Sequence, residues 1–494
     1  MAVASASKEA TEAALWALTQ GGTAADAYMT AALAQTVVQP GLTSLGGAFG
    51  ITVFDATSKT TRSVTGLMGP AAAESYAYAR FDPVSLTGRG MTVPGFLAGV
   101  ALAHREHGRL AWAKLFEPAI RYAKEGIVVS AGILGAAKRH GTRHAEGKAL
   151  WSKDGRLLEP GEPLLQPALA RVLEAVAEDG IAAFYEGEFA KAWSRRSRAD
   201  GGKLTRRDMA KGPGLAKTHG GAPEGNYRGY QVWAPRAGLL TYALHLSEAL
   251  DLRASGPPGA NPESVFRQLR VLEEVFHSTK TYSKRTHEQF ASPEFARKRA
   301  EFVLTSPLRD VTIDAIFNTC FLVVRDKEGN AAWGTHSINT PTAFGAGILV
   351  EGVYAGYAID RNHVRGDGAT ASGISTSYAL YREGVPRLVV GSPGFGFVHG
   401  PYQYGTGVVE WNLSTVDAAR APRFTFPADL GSNLTRFERN YEKSVYAMLE
   451  ARKIPHVKID ASPATGLVGG LWIDDEGTLH VTQDPRSDGL ASAT

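Results

Sequence analysis

The chain has 494 residues, 44% hydrophobic and 21% charged, the proportions of a globular protein with room for a sizeable core. Its 53 basic and 49 acidic residues leave a net charge of +4, which argues against a surface built for nucleic acid or anionic membrane. A single cysteine, Cys320, excludes an internal disulfide, and no apolar run approaches a membrane span. The segment Met1-Ala2-Val3-Ala4-Ser5 has no basic stretch followed by an apolar one, so the expectation is a cytoplasmic protein.

Residues 7–39 carry Ala14, Leu15 and Leu18, then Ala24, Ala27, Ala31 and Ala34, at helical spacing, with Gly21-Gly22 as the interruption. Alanine-rich helices of this kind pack closely against a sheet. The glycines of Gly46-Gly47-Ala48-Phe49-Gly50 predict a backbone that something approaches closely, just before a strand at Ile51-Thr52-Val53-Phe54. From 94 to 198 the pattern is mostly helical, and Arg195-Arg196-Ser197-Arg198 reads as a solvated helix end. Thr205 caps a helix start, Tyr230-Gln231-Val232-Trp233 is a strand, and 262–286 is helical. After about Asp314 the texture turns to strands. Phe321–Asp326 and Ala331–Ser337 form a hairpin through Lys327-Glu328-Gly329-Asn330. Further strands are predicted at Ser377–Tyr381, Leu388–Val390, Leu471–Ile473 and Leu479–Thr482, the last two joined by the turn Asp475-Glu476-Gly477. A helix-rich first part and a strand-rich second part suggest one α+β body.

Residue types alone leave the chemistry open. Cys320 with one of the histidines is conceivable as a nucleophile pair, although a lone cysteine beside a strand start is more often a small buried hydrophobe. His104 with His107, and Glu274 with His277, lack further ligands at zinc-like spacing, so no metal and no cofactor is expected. Gly391-Ser392-Pro393-Gly394-Phe395-Gly396 lacks a following Lys-Ser/Thr, so it reads as a tight turn whose N–H groups could form an oxyanion hole.

The ordered series of short motifs is more specific. It runs from Gly21-Gly22-Thr23-Ala24-Ala25-Asp26-Ala27, Leu45-Gly46-Gly47 and Val93-Pro94-Gly95 to Glu117-Pro118-Ala119 and Phe184-Tyr185-Glu186-Gly187. It continues through Gly201-Gly202-Lys203-Leu204-Thr205, Asn318-Thr319, Phe344-Gly345-Ala346-Gly347-Ile348, Gly391-Ser392-Pro393-Gly394 and Ala421-Pro422-Arg423-Phe424. Over nearly its whole length the chain thereby resembles the γ-glutamyltransferase family of N-terminal-nucleophile hydrolases. The resemblance implies a four-layer αββα sandwich. It also implies autocatalytic cleavage between Asn318 and Thr319, which would leave a helix-rich segment 1–318 and a strand-rich segment 319–494 that stay associated. Thr319 would then be the nucleophile, with its freed α-amine as general base.

Carried over residue by residue, the resemblance makes Ser337 the hydroxyl that steadies Thr319. Gly394 and Phe395 become the oxyanion donors, and Asn339 a substrate contact. Ser372 matches the first of a serine pair near the substrate carboxylate, with Gly373 in place of the second. Two departures concern substrate. The family's arginine clamp, in an Arg-Glu-x-Ala-Pro context, is replaced by Gly66-Leu67-Met68-Gly69-Pro70. The aspartate that holds an α-amine falls in Asp360-Arg361-Asn362-His363-Val364-Arg365, with Arg365 nearest the position and Asn362 beside it. Losing such charged hydrogen bonds removes roughly 1.5–3 kcal/mol each. The expected substrate is therefore a small acid-bearing amide, or an activated C–C bond, rather than a γ-glutamyl compound. Arg361 or Arg365 would meet the carboxylate. The alternatives are a C–C hydrolase that releases an oxalyl group in secondary-metabolite biosynthesis, a true γ-glutamyltransferase, and an uncleaved binding homologue. No nucleic-acid or membrane partner is expected, and a homo-oligomer is compatible with the sequence.

Overall fold

The computed structural model describes residues 1–494 except 79–81, 222, 235–237, 280–288, 310, 312–318, 339, 341, 359–376, 393–397, 428–433 and 494. The first long helices form where the alanine spacing predicts them, as Lys8–Thr19 and Ala24–Val38. Gly21, at φ 85°, turns the chain between them. Ser7 caps the first helix, and Thr23 caps the second in a reciprocal box with Asp26. Every residue of Ala24–Val38 is buried. Alanine makes this possible, since its small side chain lets neighbours approach on all sides.

The chain divides into two compact units, one of residues 3–220 with 317–374 and the other of 221–316 with 375–494. Each unit takes chain from both sides of Thr319. The 1–318 and 319–494 segments expected from the sequence therefore do not coincide with these units.

In the first unit the strands Ala2–Ser5, Cys320–Arg325, Ala331–Ser337, Ala48–Asp55, Thr60–Gly66 and Ala216–Gly220 lie side by side in that order. From Cys320–Arg325 onward the pairing is antiparallel. Leu322, Val324 and Ala332 join the helical residues Ala27, Ala31, Leu33 and Phe96 in one apolar core. In the second unit the order is Leu479–Gln483, Gly469–Ile473, Val385–Gly391, Ser377–Arg382, Tyr230–Trp233 and Gly225–Tyr227, antiparallel throughout. The helices Gly238–Ala249, Pro262–Thr279 and His399–Trp411 share a core with these strands through Leu244, Leu272, Tyr402 and Leu388.

The predicted strands and the hairpin are found, each within a few residues of its predicted ends, and Thr205 caps a short helix, Arg206–Met209. The helix predicted to 286 is described as Pro262–Thr279; the remainder of that prediction lies outside the described residues. Strand Thr60–Gly66 and helix His399–Trp411 have no clear signal in the sequence. The strand reads TTRSVTG, too polar to declare itself, and is held by register with Ala48–Asp55. The helix contains Gly400, Pro401, Gly405 and Gly407, poor helix formers away from the first turn. Its glycine is a packing requirement, because a Cβ on Gly405 would lie 1.6 Å from the Tyr378 hydroxyl.

Candidate active site

Thr319 stands immediately before the strand Cys320–Arg325, 4% exposed. Its hydroxyl donates to the His336 carbonyl oxygen at 3.1 Å. At the far end of the hairpin the Asp326 N–H donates to the Asn330 carbonyl at 3.0 Å, a bonded pair. Bonded and non-bonded pairs alternate along an antiparallel ladder, so Cys320 and His336 form a bonded pair. Continued one position past the last pair, this register would set Thr319 opposite Ser337 as a non-bonded pair, the kind whose side chains approach most closely. Ser337 is 3% exposed and pairs on its other side with Ala48.

Side chains alternate across the strand, and the alternation separates Thr319 from Cys320. The Cys320 thiol donates to Gln39 Oε1 at 3.3 Å, on the side of helix Ala24–Val38. Burial pushes that thiol well above its usual range. It is a buried side chain of the helix-facing core and an inert nucleophile, the plainer of the two readings its sequence position allowed. The His336 ring lies on the same side, in a box of Tyr28, Phe49 and Phe96. Burial lowers its pKa to about 3, so it stays neutral and is a poor base. Thr319 continues the opposite face, with Phe321 and Val323.

Sequence motifs far apart in the chain converge on this hairpin. The Asp326 carboxylate accepts from the N–H groups of Glu328 and Asn330, each at 3.0 Å, and from the Asn330 side-chain amide at 2.9 Å. It also accepts from the Ala24 N–H at 2.9 Å, at the positive end of helix Ala24–Val38. Asn330 Oδ1 in turn takes the Ala56 N–H at 2.9 Å. Gly47 lies against the other end, where an added Cβ would sit 2.1 Å from the Ser337 carbonyl. The Gly47 carbonyl accepts from Gly95 and Phe96 N–H, each at 3.0 Å, at the start of helix Phe96–His107. The close approach predicted at Gly46-Gly47 is thus, for Gly47, to the strand that carries Ser337, and, for Gly46, to the Tyr354 carbonyl.

A residue-pattern match to the family described as Gamma-glutamyltranspeptidase spans residues 10–494. The chain belongs to that family. It is 26% identical to the glutathione hydrolase proenzyme of Escherichia coli, over 98% of this chain and 90% of the relative. It is also 26% identical to the glutathione hydrolase-like YwrD proenzyme of Bacillus subtilis, over 96% and 94%. Among solved structures, cephalosporin acylase from Bacillus halodurans superimposes with a TM-score of 0.76 at 23% identity, covering 100% of this chain and 95% of that one. Gamma-glutamyltranspeptidase from Pseudomonas nitroreducens gives a TM-score of 0.52 at 25% identity, over 63% and 93%. The α+β fold expected from the sequence, that of N-terminal-nucleophile hydrolases, is the fold of this chain, and the chain is an enzyme of the hydrolase and transferase type.

Of the residues that the gamma-glutamyltranspeptidase resemblance picks out, Thr319 and Ser337 are described, each one position from the Cys320–His336 pair. Asn318, Asn339, Asn362, Arg361, Arg365, Ser372, Gly373, Gly394 and Phe395 lie outside the described residues. Strand Val385–Gly391 leads toward the last two, and helix His399–Trp411 comes after them. Gly66, the first residue of the stretch matched to the clamp context in the sequence, ends the strand Thr60–Gly66, and a Cβ there would lie 2.1 Å from the Gly95 carbonyl. Beyond it, Met68 packs on Ala48, the neighbour of Ser337.

The other candidates have plainer roles. His104 Nε2 bonds the Leu110 carbonyl at 2.7 Å, Glu274 is taken by arginines, and Arg196 pairs with Asp200 and Glu146. Among the described residues there is no metal-binding cluster and no helix long and apolar enough to cross a membrane. A cavity of about 500 Å³ in the first unit, lined by Glu146, Leu150, Leu165, Leu169 and Glu351, contains neither Thr319 nor Ser337. His336 and Gln39 as site-building residues escape a sequence reading, as does the bond from Asp326, a residue of the turn motif, to the Ala24 N–H, because these contacts join segments far apart in the chain.

Proposed function

We propose that the chain cleaves itself between Asn318 and Thr319 and then hydrolyses or transfers an acyl group through an ester on Thr319. In the first step Thr319 Oγ attacks the carbonyl carbon of Asn318, and the acyl group shifts from nitrogen to oxygen. Water hydrolyses that ester, leaving a carboxylate on Asn318 and a free α-amine on Thr319. In turnover this amine takes the Thr319 hydroxyl proton while the substrate carbonyl is attacked, then returns a proton to the leaving amine. Gly394 and Phe395 N–H groups would hold the oxyanion, Ser337 would orient Thr319, and Asn339 would touch substrate. The observation that carries the reading is Thr319 itself, a buried hydroxyl fixed at a strand start, opposite Ser337, in a gamma-glutamyltranspeptidase-family chain. No ionisable base is needed from His336, which burial keeps neutral.

Cleavage would not release the fragments. Cys320–Arg325 and Ala331–Ser337 lie between Ala2–Ser5 and Ala48–Asp55 in one sheet, so backbone hydrogen bonds join 319–494 to 1–318 on both sides. The substrate we propose is a small amide, or an activated C–C bond, whose acid group meets Arg361 or Arg365, with Asn362, Ser372 and Gly373 alongside. Supporting a substrate other than a γ-glutamyl group is Gly66, which leaves no space for the family's arginine.

Mass spectrometry of freshly purified protein tests the mechanism. Wild type is expected as two fragments divided before Thr319, and Thr319→Ala as one chain. An intact wild type that still turns over substrate sinks it. Release of aniline from a γ-glutamyl anilide at a rate matching small acid amides such as oxamate would overturn the substrate assignment.

A further inference from the structure

The first unit holds a second place shaped for a small molecule. It is the cavity of about 500 Å³, a size that takes one small ligand. Two tight hairpins and the start of a helix contribute to its walls. Leu349–Val350 pairs with Val353–Tyr354 through the two-residue turn Glu351-Gly352, with φ of 47° and 81°. That turn is pressed onto the start of helix Pro167–Asp179, since a Cβ on Gly352 would lie 2.6 Å from the Leu169 nitrogen. Ser152–Lys153 pairs with Arg156–Leu157 through a second two-residue turn, Asp154-Gly155, with φ of 52° and 80°. Turns with positive φ at both central residues match the twist of the strands they join, so each hairpin is a defined unit. Glu351 and Lys153 are carried on these hairpins and reach the cavity from them.

The lining is amphipathic. Leu150, Leu158, Leu165, Leu169 and Leu349 make it largely apolar, and Leu165 is left 52% exposed. Three charged side chains line it as well, Glu146, Lys153 and Glu351. Glu146 has a cation in Arg196, 3.8 Å away. Among the described residues Glu351 and Lys153 form no ion pair, either with each other or with a third group.

An unpaired carboxylate and an unpaired ammonium over a leucine-lined hollow suit a ligand that carries both charges and an apolar body. A fatty acid would satisfy Lys153 but meet two carboxylates. A hydrophobic amine would satisfy Glu351 but bring a second cation to Lys153. A zwitterion satisfies both. We propose that the cavity binds a free apolar α-amino acid, with its ammonium on Glu351, its carboxylate on Lys153 and its side chain on the leucines. The site is separate from Thr319 and Ser337 and does not depend on the self-cleavage proposed above.

Equilibrium dialysis of the purified full chain against radiolabelled L-leucine tests the site. Leucine is expected to bind one to one. Leucinamide lacks the carboxylate and 4-methylpentanoate lacks the ammonium, so each should compete about three- to tenfold more weakly than unlabelled leucine. Glycine, without the apolar body, should compete at least about tenfold more weakly. Glu351→Gln and Lys153→Met change exposed side chains. Each should weaken leucine by the same three- to tenfold, roughly, with the melting temperature of the unliganded chain unchanged. Ala149→Trp, at an exposed position that lines the cavity, should fill it and abolish binding whatever the charge variants do to folding. Failure of leucine to bind, equal competition by leucinamide or 4-methylpentanoate, or undiminished binding in Glu351→Gln, Lys153→Met or Ala149→Trp would each overturn the assignment.

Discussion

Thr319 meets its surroundings through one hydroxyl, and that hydroxyl gives its proton to a backbone carbonyl, which cannot remove it. The arrangement orients the side chain without activating it. In the mechanism proposed above, activation in turnover falls to an α-amine that exists only after cleavage, and the placing of Thr319 beside Ser337 would matter for both steps. A hydrogen bond in such a pair is worth about 0.5–1.5 kcal/mol. Ser337→Ala is accordingly expected to slow cleavage before Thr319 about two- to tenfold, measured on timed gels, with the melting temperature nearly unchanged. Unaltered cleavage would remove Ser337 from the proposed machinery. Much of this was legible in the residues. Asn318-Thr319 ahead of a strand, a hairpin turn at Lys327-Glu328-Gly329-Asn330 and a hydroxyl at Ser337 are all local patterns. The His336 carbonyl was not legible, since any residue at that position presents one.

At the scale of elements, the hairpin that carries Thr319 and Ser337 is held by one carboxylate at its turn. Asp326 binds the turn to itself and to the first turn of helix Ala24–Val38, where the helix dipole favours a negative charge. Asp326→Ala removes all four acceptor contacts at a side chain that is 5% exposed. The expected loss is about 2–4 kcal/mol, read as a lower urea midpoint with an unchanged slope. Asp326→Asn should keep the turn and lose less. A variant as stable as wild type would show that the turn holds without its carboxylate. Gly47 performs the matching task at the opposite end, where its missing side chain lets the Ser337 carbonyl approach. The sequence announced these glycines as a place of close contact, but not the contact's partner, which comes from about 290 positions later in the chain.

For the whole molecule, burial of neutral imidazoles sets a dependence on pH. His336 and His399 are each lowered by burial to about 3, and burial lowers His245 as well. In the unfolded chain these rings take up protons near pH 6.5. Between about pH 6.5 and 3 the unfolded state therefore binds more protons than the folded one, and stability is lost as pH falls through that window. At pH 5 each of the two most shifted rings contributes a loss of about 2 kcal/mol relative to neutral pH. Thermal melts of the Thr319→Ala chain should show a clear drop from pH 7.5 to pH 5. His336→Leu in that background should shrink the drop by roughly half. Equal drops with and without His336 would mean that the ring is protonated in the folded state.

The sequence by itself determined the alanine helices, the hairpin, the three central strands of the first sheet, most strands of the second and the family, because these rest on local periodicity, turn chemistry and ordered motifs. It also showed that the stretch Gly66-Leu67-Met68-Gly69-Pro70 holds no arginine. Only the tertiary structure decided that Cys320 is a buried core side chain while its neighbour Thr319 continues the other face, that Asp326 joins a hairpin to a helix, and that the space a side chain at Gly66 would need is filled by the Gly95 backbone. It likewise decided that helix His399–Trp411 forms despite its glycines. The physical reason is common to all of these: each depends on contacts between segments far apart in the chain, and a side chain's burial or a backbone's closeness is a property of the partner as much as of the residue.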